Sequence, residues 1–189
     1  MGFEFTILNL IQDLRTPFLD TLMPMISSFG GSVWIVLALV LLVRPQTRKA
    51  GIIVTVALLV DVLLCNGIIK HLVERTRPCD VNTQIQLIVG RPHGFSFPSA
   101  HTAASFAVVA ALYFSGMKKL WRPALLISCL VAFSRMYLYV HYPTDILGGI
   151  VFGSLSGYLG YRLVAYALQW RKQNHGNRVP LIKETKIKA

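Results

Sequence analysis

The sequence predicts an all-α fold, a polytopic membrane helix bundle of five to six transmembrane helices preceded by an N-terminal interfacial helix. Three observations carry this. Of the 189 residues 54% are hydrophobic and 14% charged, with a mean hydropathy of +0.56, an apolar excess and charge deficit foreign to soluble domains. The apolar residues gather in runs near the length, about 20 residues, that a helix needs to cross a bilayer. The basic residues gather in alternate gaps between those runs: Arg44, Arg48 and Lys49 in one, Lys118, Lys119 and Arg122 in another, and Arg171, Lys172, Arg178, Lys183, Lys186 and Lys188 at the end. This is the positive-inside pattern, and it puts the three clusters and the C-terminus in the cytoplasm. By length the chain is one domain, with residues 1–170 membrane-embedded and 171–189 a basic cytoplasmic tail.

The net charge of +11 is accounted for by these clusters, which face anionic lipid headgroups and not nucleic acid. Cys65 and Cys129 lie in apolar segments and Cys79 in a loop, an odd and scattered set that reads as packing residues. Glu4 and Asp13 stand where a cleavable signal peptide would carry basic residues. The opening Met1-Gly2-Phe3-Glu4-Phe5-Thr6 matches the bare myristoylation pattern, an anchor that a chain with several spans does not need.

Along the chain, residues 3–14 place Phe3, Ile7, Leu8, Leu10, Ile11 and Leu14 apart from Glu4, Asn9, Gln12 and Asp13, as a helix on a membrane surface would. Phe18 to Val43 is apolar but interrupted by Pro24 and Gly30-Gly31, so it is either one kinked span or a short helix and a second element. After the Arg44–Lys49 turn, Gly51 to Ile69 spans; its Asp61 and Asn66 are expected to face the bundle interior. Lys70 to Phe97 is a long polar connection, with an apolar Ile85–Val89 that dips toward the membrane or covers a site. His101 to Gly116, Leu120 to Tyr139 and Pro143 to Trp170 complete the spans, and the glycines and serines of the last one give a face for tight packing. With the basic clusters inside, Lys70–Phe97, the start of the span at His101 and Arg135–Asp145 meet at the outer face.

Ionisable residues at that depth are costly to desolvate and mark function by default. Pro143 suits a first helical turn, which puts Asp145 about one turn beyond His141, near enough to take the imidazole N–H and leave the other ring nitrogen free to attack an electrophile. A capped helix start with an interfacial His–Asp pair is the structural alternative. Lys70 and Arg77, two helical turns apart if the helix continues, share a face that calls for an anion or a lipid headgroup. Ser99 is placed as an N-cap at a helix start whose free N–H groups favour anions, with His101 in the first turn.

These stretches resemble, in order and spacing, the signature of the type 2 phosphatidic acid phosphatase superfamily of membrane lipid phosphate phosphatases. K-x-x-x-x-x-x-R-P appears as Lys70 to Pro78, P-S-G-H as Pro98-Ser99-Ala100-His101, and S-R-x-x-x-x-x-H-x-x-x-D as Ser134 to Asp145. The resemblance covers roughly residues 51–160 and departs from the pattern at Ala100, where the family most often has glycine. It implies that His141 is the nucleophile carrying a transient phosphohistidine, that Asp145 orients it, and that His101 is general acid and then base. Lys70, Arg77, Ser99 and Arg135 would hold the phosphoryl oxygens, with no metal and no other cofactor. Arg75, Glu74 and Arg91 fall outside the motifs, as residues that tune headgroup choice or as parts of a solvated loop. The implied activity is removal of a terminal phosphate from undecaprenyl diphosphate, phosphatidylglycerophosphate or phosphatidic acid, at the extracytoplasmic face of a bacterial plasma membrane. A phosphotransferase of the same fold and a non-enzymatic anionic-lipid binder or transporter are the alternatives. Nothing in the sequence sets an oligomeric state.

Overall fold

The computed structural model describes residues 2–175, and among them every regular element is helical. In order these are α1 (Gly2–Gln12), α2 (Pro17–Val43), α3 (Arg48–Asp61), a π-helical stretch (Val62–Ile69), α4 (Lys70–Val73), α5 (Pro78–Val81), α6 (Ala100–Phe114), α7 (Lys118–Tyr137) and α8 (Pro143–His175). The sequence alternatives for Phe18–Val43 resolve to one helix: Thr16 caps it by accepting from the Leu19 N–H, and Pro24 lies inside it. α8 runs past Trp170 to His175, so the first residues of the expected tail are helical; 176–189 lie outside the described residues.

α3, the π-helical stretch and α4 follow one another without a break from Arg48 to Val73. The π turns, frequent where a helix is re-aimed at a functional site, set the direction in which Lys70 leaves it. Asp61 is buried as expected, with its Oδ1 3.2 Å from the Cys65 thiol, whereas Asn66 is only half-buried. The continued helix expected to carry both Lys70 and Arg77 on one face is not formed. Glu74 takes a left-handed φ of 47°, and Pro78 forces the residue before it out of the helical region, so Arg77 is extended at φ −73°, ψ 153°.

The long helices are wet by neither water nor core on much of their surface. Phe29, Ile35 and Val36 of α2, Leu63 of the π stretch, Leu126 of α7 and Leu147 of α8 are all exposed, an apolar belt of the kind that lipid covers. α2 and the helix beginning at Arg48 also have the length and hydropathy of membrane spans. The protein is an integral membrane protein. Helices in lipid gain nothing from hiding apolar surface from one another, so their association rests on close packing. Here the glycines of α8 supply it. A Cβ on Gly149 would meet Ser99 O and Thr102 Cβ at 2.9 Å, one on Gly153 would run into the Ala103 backbone, and one on Gly160 would sit 2.7 Å from Ala57 Cα. α8 therefore climbs α6 in parallel and touches α3 farther along.

Gly149→Ala tests this packing. The new methyl faces a backbone oxygen and a stiff threonine, neither of which can swing aside, so the variant should lose roughly 1–3 kcal/mol, read as a lower unfolding temperature in detergent with a matching loss of activity through the displaced Ser99.

The same register places the N-termini of α6 and α8, the C-terminus of α7 and the α4–α5 segment at one end of the bundle, and the α2–α3 and α6–α7 turns at the other. Trp34 anchors the interior, 2% exposed; its Nε1 donates to Ser105 Oγ at 2.8 Å, and that hydroxyl donates to His101 O at 2.7 Å. α1 lies across the first end. Of its apolar set, Phe3, Ile7 and Leu10 are exposed, as is Leu14 just beyond the helix, but Leu8 and Ile11 are buried against the bundle, so the set does not form one lipid-facing side. The polar side of α1 is only partly turned to water: Asn9 and Asp13 are exposed, but three of the four polar residues are also buried against the bundle or bonded to it. Glu4 is buried, Asn9 accepts from the Tyr139 hydroxyl at 3.0 Å and Gln12 donates to Tyr137 O at 2.9 Å. The cysteines also depart from expectation in part: Cys65 and Cys79 are buried, but Cys129 is exposed on α7.

Candidate active site

His141 enters the site through a turn that the sequence builds with some strain. α7 ends at Tyr137, and Tyr139 adopts a left-handed φ of 58°, a conformation worth about 1–3 kcal/mol of strain in a non-glycine residue. Its ring is held by hydrogen bonds of the hydroxyl to Asn9 and from Asn82. The reversal turns Val140 and His141 inward, and Pro143 then starts α8 so that Asp145 lies in its first turn. Ile88 and Val89 pack on Tyr137, Leu138 and Val140, so the apolar part of the long connection covers this turn and does not dip into lipid.

His141 is 2% exposed and Asp145 fully buried, with Nδ1 3.5 Å from Oδ2. The tautomer follows from the other ring nitrogen. Arg77 Nη1 lies 3.2 Å from Nε2, and a guanidinium can only donate, so Nε2 holds a lone pair and Nδ1 carries the proton facing Asp145. Burial, joined by the Arg135 and Arg77 cations and opposed by Asp145, pushes the imidazole down to about 3, which keeps that lone pair unprotonated at neutral pH. Asp145 is fixed by more than the histidine: Oδ2 accepts from Ser96 Oγ at 2.5 Å and from the Tyr142 N–H at 2.8 Å, and Oδ1 pairs with Arg75 at 2.7 Å.

Arg77 uses its whole fork. Nε donates to Gly94 O at 2.9 Å, Nη1 to Val140 O at 3.0 Å and to His141, and Nη2 to His93 O at 3.4 Å and Phe95 O at 3.2 Å. It thus ties the 93–95 segment to the histidine turn and spends all five donors doing so. Arg135 is the opposite case. It is 9% exposed, Nη1 reaches Ser27 Oγ, and Nε has no partner among the described residues. A buried N–H left unmade costs about 1–3 kcal/mol, which an incoming oxygen would recover.

Ser99 stands at the N-cap position of α6, but its hydroxyl does not cap the helix. It accepts instead from the Thr102 hydroxyl at 3.1 Å, while the Ser99 N–H donates to Asp145 O at 3.1 Å. Its own hydroxyl proton is left to donate elsewhere. Ala100 opens α6 with an ordinary negative φ, so alanine fits where the family prefers glycine. His101 is half-buried, and the charges of Arg135, Lys70 and Arg77 act on it together; Arg77 and Arg135 act on Lys70 as well. The structure therefore brings together all seven residues singled out in the sequence: Lys70, Arg77, Ser99, His101, Arg135, His141 and Asp145. Arg77 and Arg135 act on His141, and with Lys70 on His101, so the cations between the two histidines make a place for a multiply charged anion. Among the described residues no group of three His, Cys, Asp or Glu side chains is arranged to hold a metal ion.

A family model described as the PAP2 superfamily matches residues 49–169. The chain belongs to the PAP2 superfamily. Among PAP2 and related proteins it is 27% identical over 164 residues to the undecaprenyl-diphosphatase of Sulfolobus acidocaldarius, covering 86% of this chain and 79% of that one. It is 32% identical over 148 residues to undecaprenyl-diphosphatase BcrC of Bacillus subtilis, covering 76% and 74%. The crystal structure of a transmembrane PAP2 type phosphatidylglycerolphosphate phosphatase from Bacillus subtilis superposes with a TM-score of 0.71 at 27% identity, over 87% of this chain and 86% of that one. The PAP2 helical architecture is thus shared well beyond the three motifs.

Sequence reasoning missed Ser96 and Arg75. Arg75 is not a solvated loop residue: it bridges Asp145, Thr144 and Glu4 and stacks on Tyr142, its guanidinium carbon 3.9 Å from the ring centroid. Arg91 pairs with Asp80 at a largely exposed position, 3.1 Å apart. The only local hint for Arg75 was an acid, Glu4, set between Phe3 and Phe5 with no neighbour in sequence to pair it.

Proposed function

We propose that this PAP2 lipid phosphatase removes the terminal phosphate of a carrier-lipid diphosphate, undecaprenyl diphosphate, or of phosphatidylglycerophosphate, through a phosphohistidine on His141 at the outer face of a bacterial plasma membrane. The observation that carries the reading is the buried, unpartnered Nε–H of Arg135 beside the His141 lone pair. Substrate phosphoryl oxygens take that donor, Lys70 and the Ser99 hydroxyl. Arg77 gives up its Nη1 contact with Nε2 to a phosphoryl oxygen as the nitrogen turns to phosphorus, so one donor first orients the nucleophile and then stabilises the charge that its attack develops. Nε2 forms the N–P bond, the bond to the leaving oxygen breaks, and His101 supplies that oxygen with a proton. Water then attacks the phosphohistidine, His101 takes its proton, and the His141 ring leaves neutral. Asp145 accepts from Nδ1–H and stabilises the imidazolium character of the intermediate.

The side assignment rests on the basic clusters. The α2–α3 turn, the α6–α7 turn and the far end of α8 carry them, at the end of the bundle away from His141, which puts the site outside and the C-terminus in the cytoplasm. α2, α3 with its π continuation, α6, α7 and α8 are then five spans, with α1 at the interface.

Purified protein in detergent, given undecaprenyl diphosphate, phosphatidylglycerophosphate and phosphatidic acid in turn, is expected to release phosphate from at least one with excess chelator present. The undecaprenyl compound is expected to be fastest. Release from none overturns the reading, and transfer that appears only when a sugar or lipid hydroxyl is added replaces hydrolase with transferase.

A further inference from the structure

The buried side of α1 carries one acidic residue, Glu4, 4% exposed and at the centre of a hydrogen-bonded chain that reaches the site. Glu4 Oε2 accepts from Arg75 Nη2 at 2.6 Å, its other oxygen accepts from the Thr144 hydroxyl, and Arg75 Nη1 in turn holds Thr144 Oγ1 at 2.6 Å and Asp145 Oδ1 at 2.7 Å. One guanidinium thus bridges two buried carboxylates, clamped flat against Tyr142. The close packing of α8 on α6 is made separately, by the α8 glycines.

Two consequences follow from the chemistry of the bridge. The planar fork fixes the rotation of the Asp145 carboxylate, because Oδ1 is held and only Oδ2 is left for His141, Ser96 and the Tyr142 N–H. The second acid divides the guanidinium's charge. Without Glu4, a whole positive charge would sit 2.7 Å from Asp145 and oppose the charge that Asp145 must lend to the histidine ring as it becomes cationic.

We propose that Glu4 and Arg75 are positioning residues for Asp145, so that the N-terminal helix, seated at the lipid surface by Phe3, Ile7 and Leu10, is a working part of the active site. The inference rests on the phosphatase reading above. Glu4→Gln keeps the shape and Thr144 contact but leaves Arg75 uncompensated, and kcat should fall roughly tenfold while KM stays within a factor of about two.

A merely structural role would lower activity by the same factor in any background, so the deciding measurement is a cycle with Asp145→Asn, made on the full chain in detergent with phosphate release as readout. Added to Asp145→Asn, Glu4→Gln should cost no further factor, because its target is already gone. A loss that multiplies unchanged onto Asp145→Asn, or a Glu4→Gln protein with wild-type kcat, overturns the proposal. If Glu4→Gln does not fold, Arg75→Lys, which keeps the charge and loses the fork, runs the same cycle. No phosphate release by the wild-type protein would instead remove the phosphatase reading, and this inference with it, an outcome distinct from an active wild type with an indifferent Glu4.

Discussion

His141→Ala should abolish turnover, with kcat/KM falling at least about 10⁴-fold, roughly 5 kcal/mol of transition-state stabilisation. The size of the effect comes from the ring's position. Its Nε2 lone pair lies among the Arg77 and Arg135 charges, and Arg77 already holds it by a donated hydrogen bond of 3.2 Å. No other side chain there is both neutral and held this way. Because the ring is fully buried, its removal leaves a cavity and frees an Arg77 donor, so His141→Asn, which refills part of the space, should be compared and both unfolding temperatures recorded. A protein of near-normal stability with no release, and no phosphate bound covalently after an alkaline quench that the wild type survives phosphorylated, establishes the nucleophile. Wild-type-like activity in either variant would end the assignment.

The motif residues were legible because their spacing is local. His141 and Asp145 are four apart across a helix start, and Ser99 and His101 sit at another, so helix geometry alone brings each pair to one place. Lys70 and Arg77 do come near one another, but not on one helix face. A continued helix was expected where Glu74 turns left-handed and Pro78 excludes helix before it, and the two cations meet across a turn. The amphipathic reading of α1 is met at Phe3, Ile7 and Leu10 but not at Glu4, Leu8 and Ile11, which are buried, for a related cause. Periodicity separates polar from apolar residues but is blind to what the polar face meets, and Glu4 meets Arg75, 71 residues away. Buried ion pairs of that kind leave no periodic trace. The two readings open for Phe18–Val43 resolve to one helix that carries Pro24 in its interior and packs Gly30 against Val131 of α7, so the glycine there serves helix approach and not a chain break.

His101→Ala should separate substrates by the leaving group. In the proposed sequence His101 protonates the departing oxygen, and the need for that proton depends on how basic the oxygen is. Phosphatidic acid and phosphatidylglycerophosphate expel an alkoxide, which cannot leave without protonation. Undecaprenyl diphosphate expels a phosphate monoester, which is stable as an anion. The variant should therefore lose about 10³–10⁴-fold in kcat on the monoesters and markedly less on the diphosphate. Binding should be largely kept, because Arg135, Lys70 and the Ser99 hydroxyl remain. The wild-type anchor of His101 argues that the variant will fold: its backbone oxygen, not its ring, accepts from Ser105, which Trp34 holds from α2. The second half-reaction adds a check, since the same ring activates the attacking water. With the diphosphate, His101→Ala should build up the phosphohistidine, because formation is spared while hydrolysis is not. Equal losses on both substrate classes, with no accumulated intermediate, would assign His101 to holding the phosphate and leave the proton to another donor.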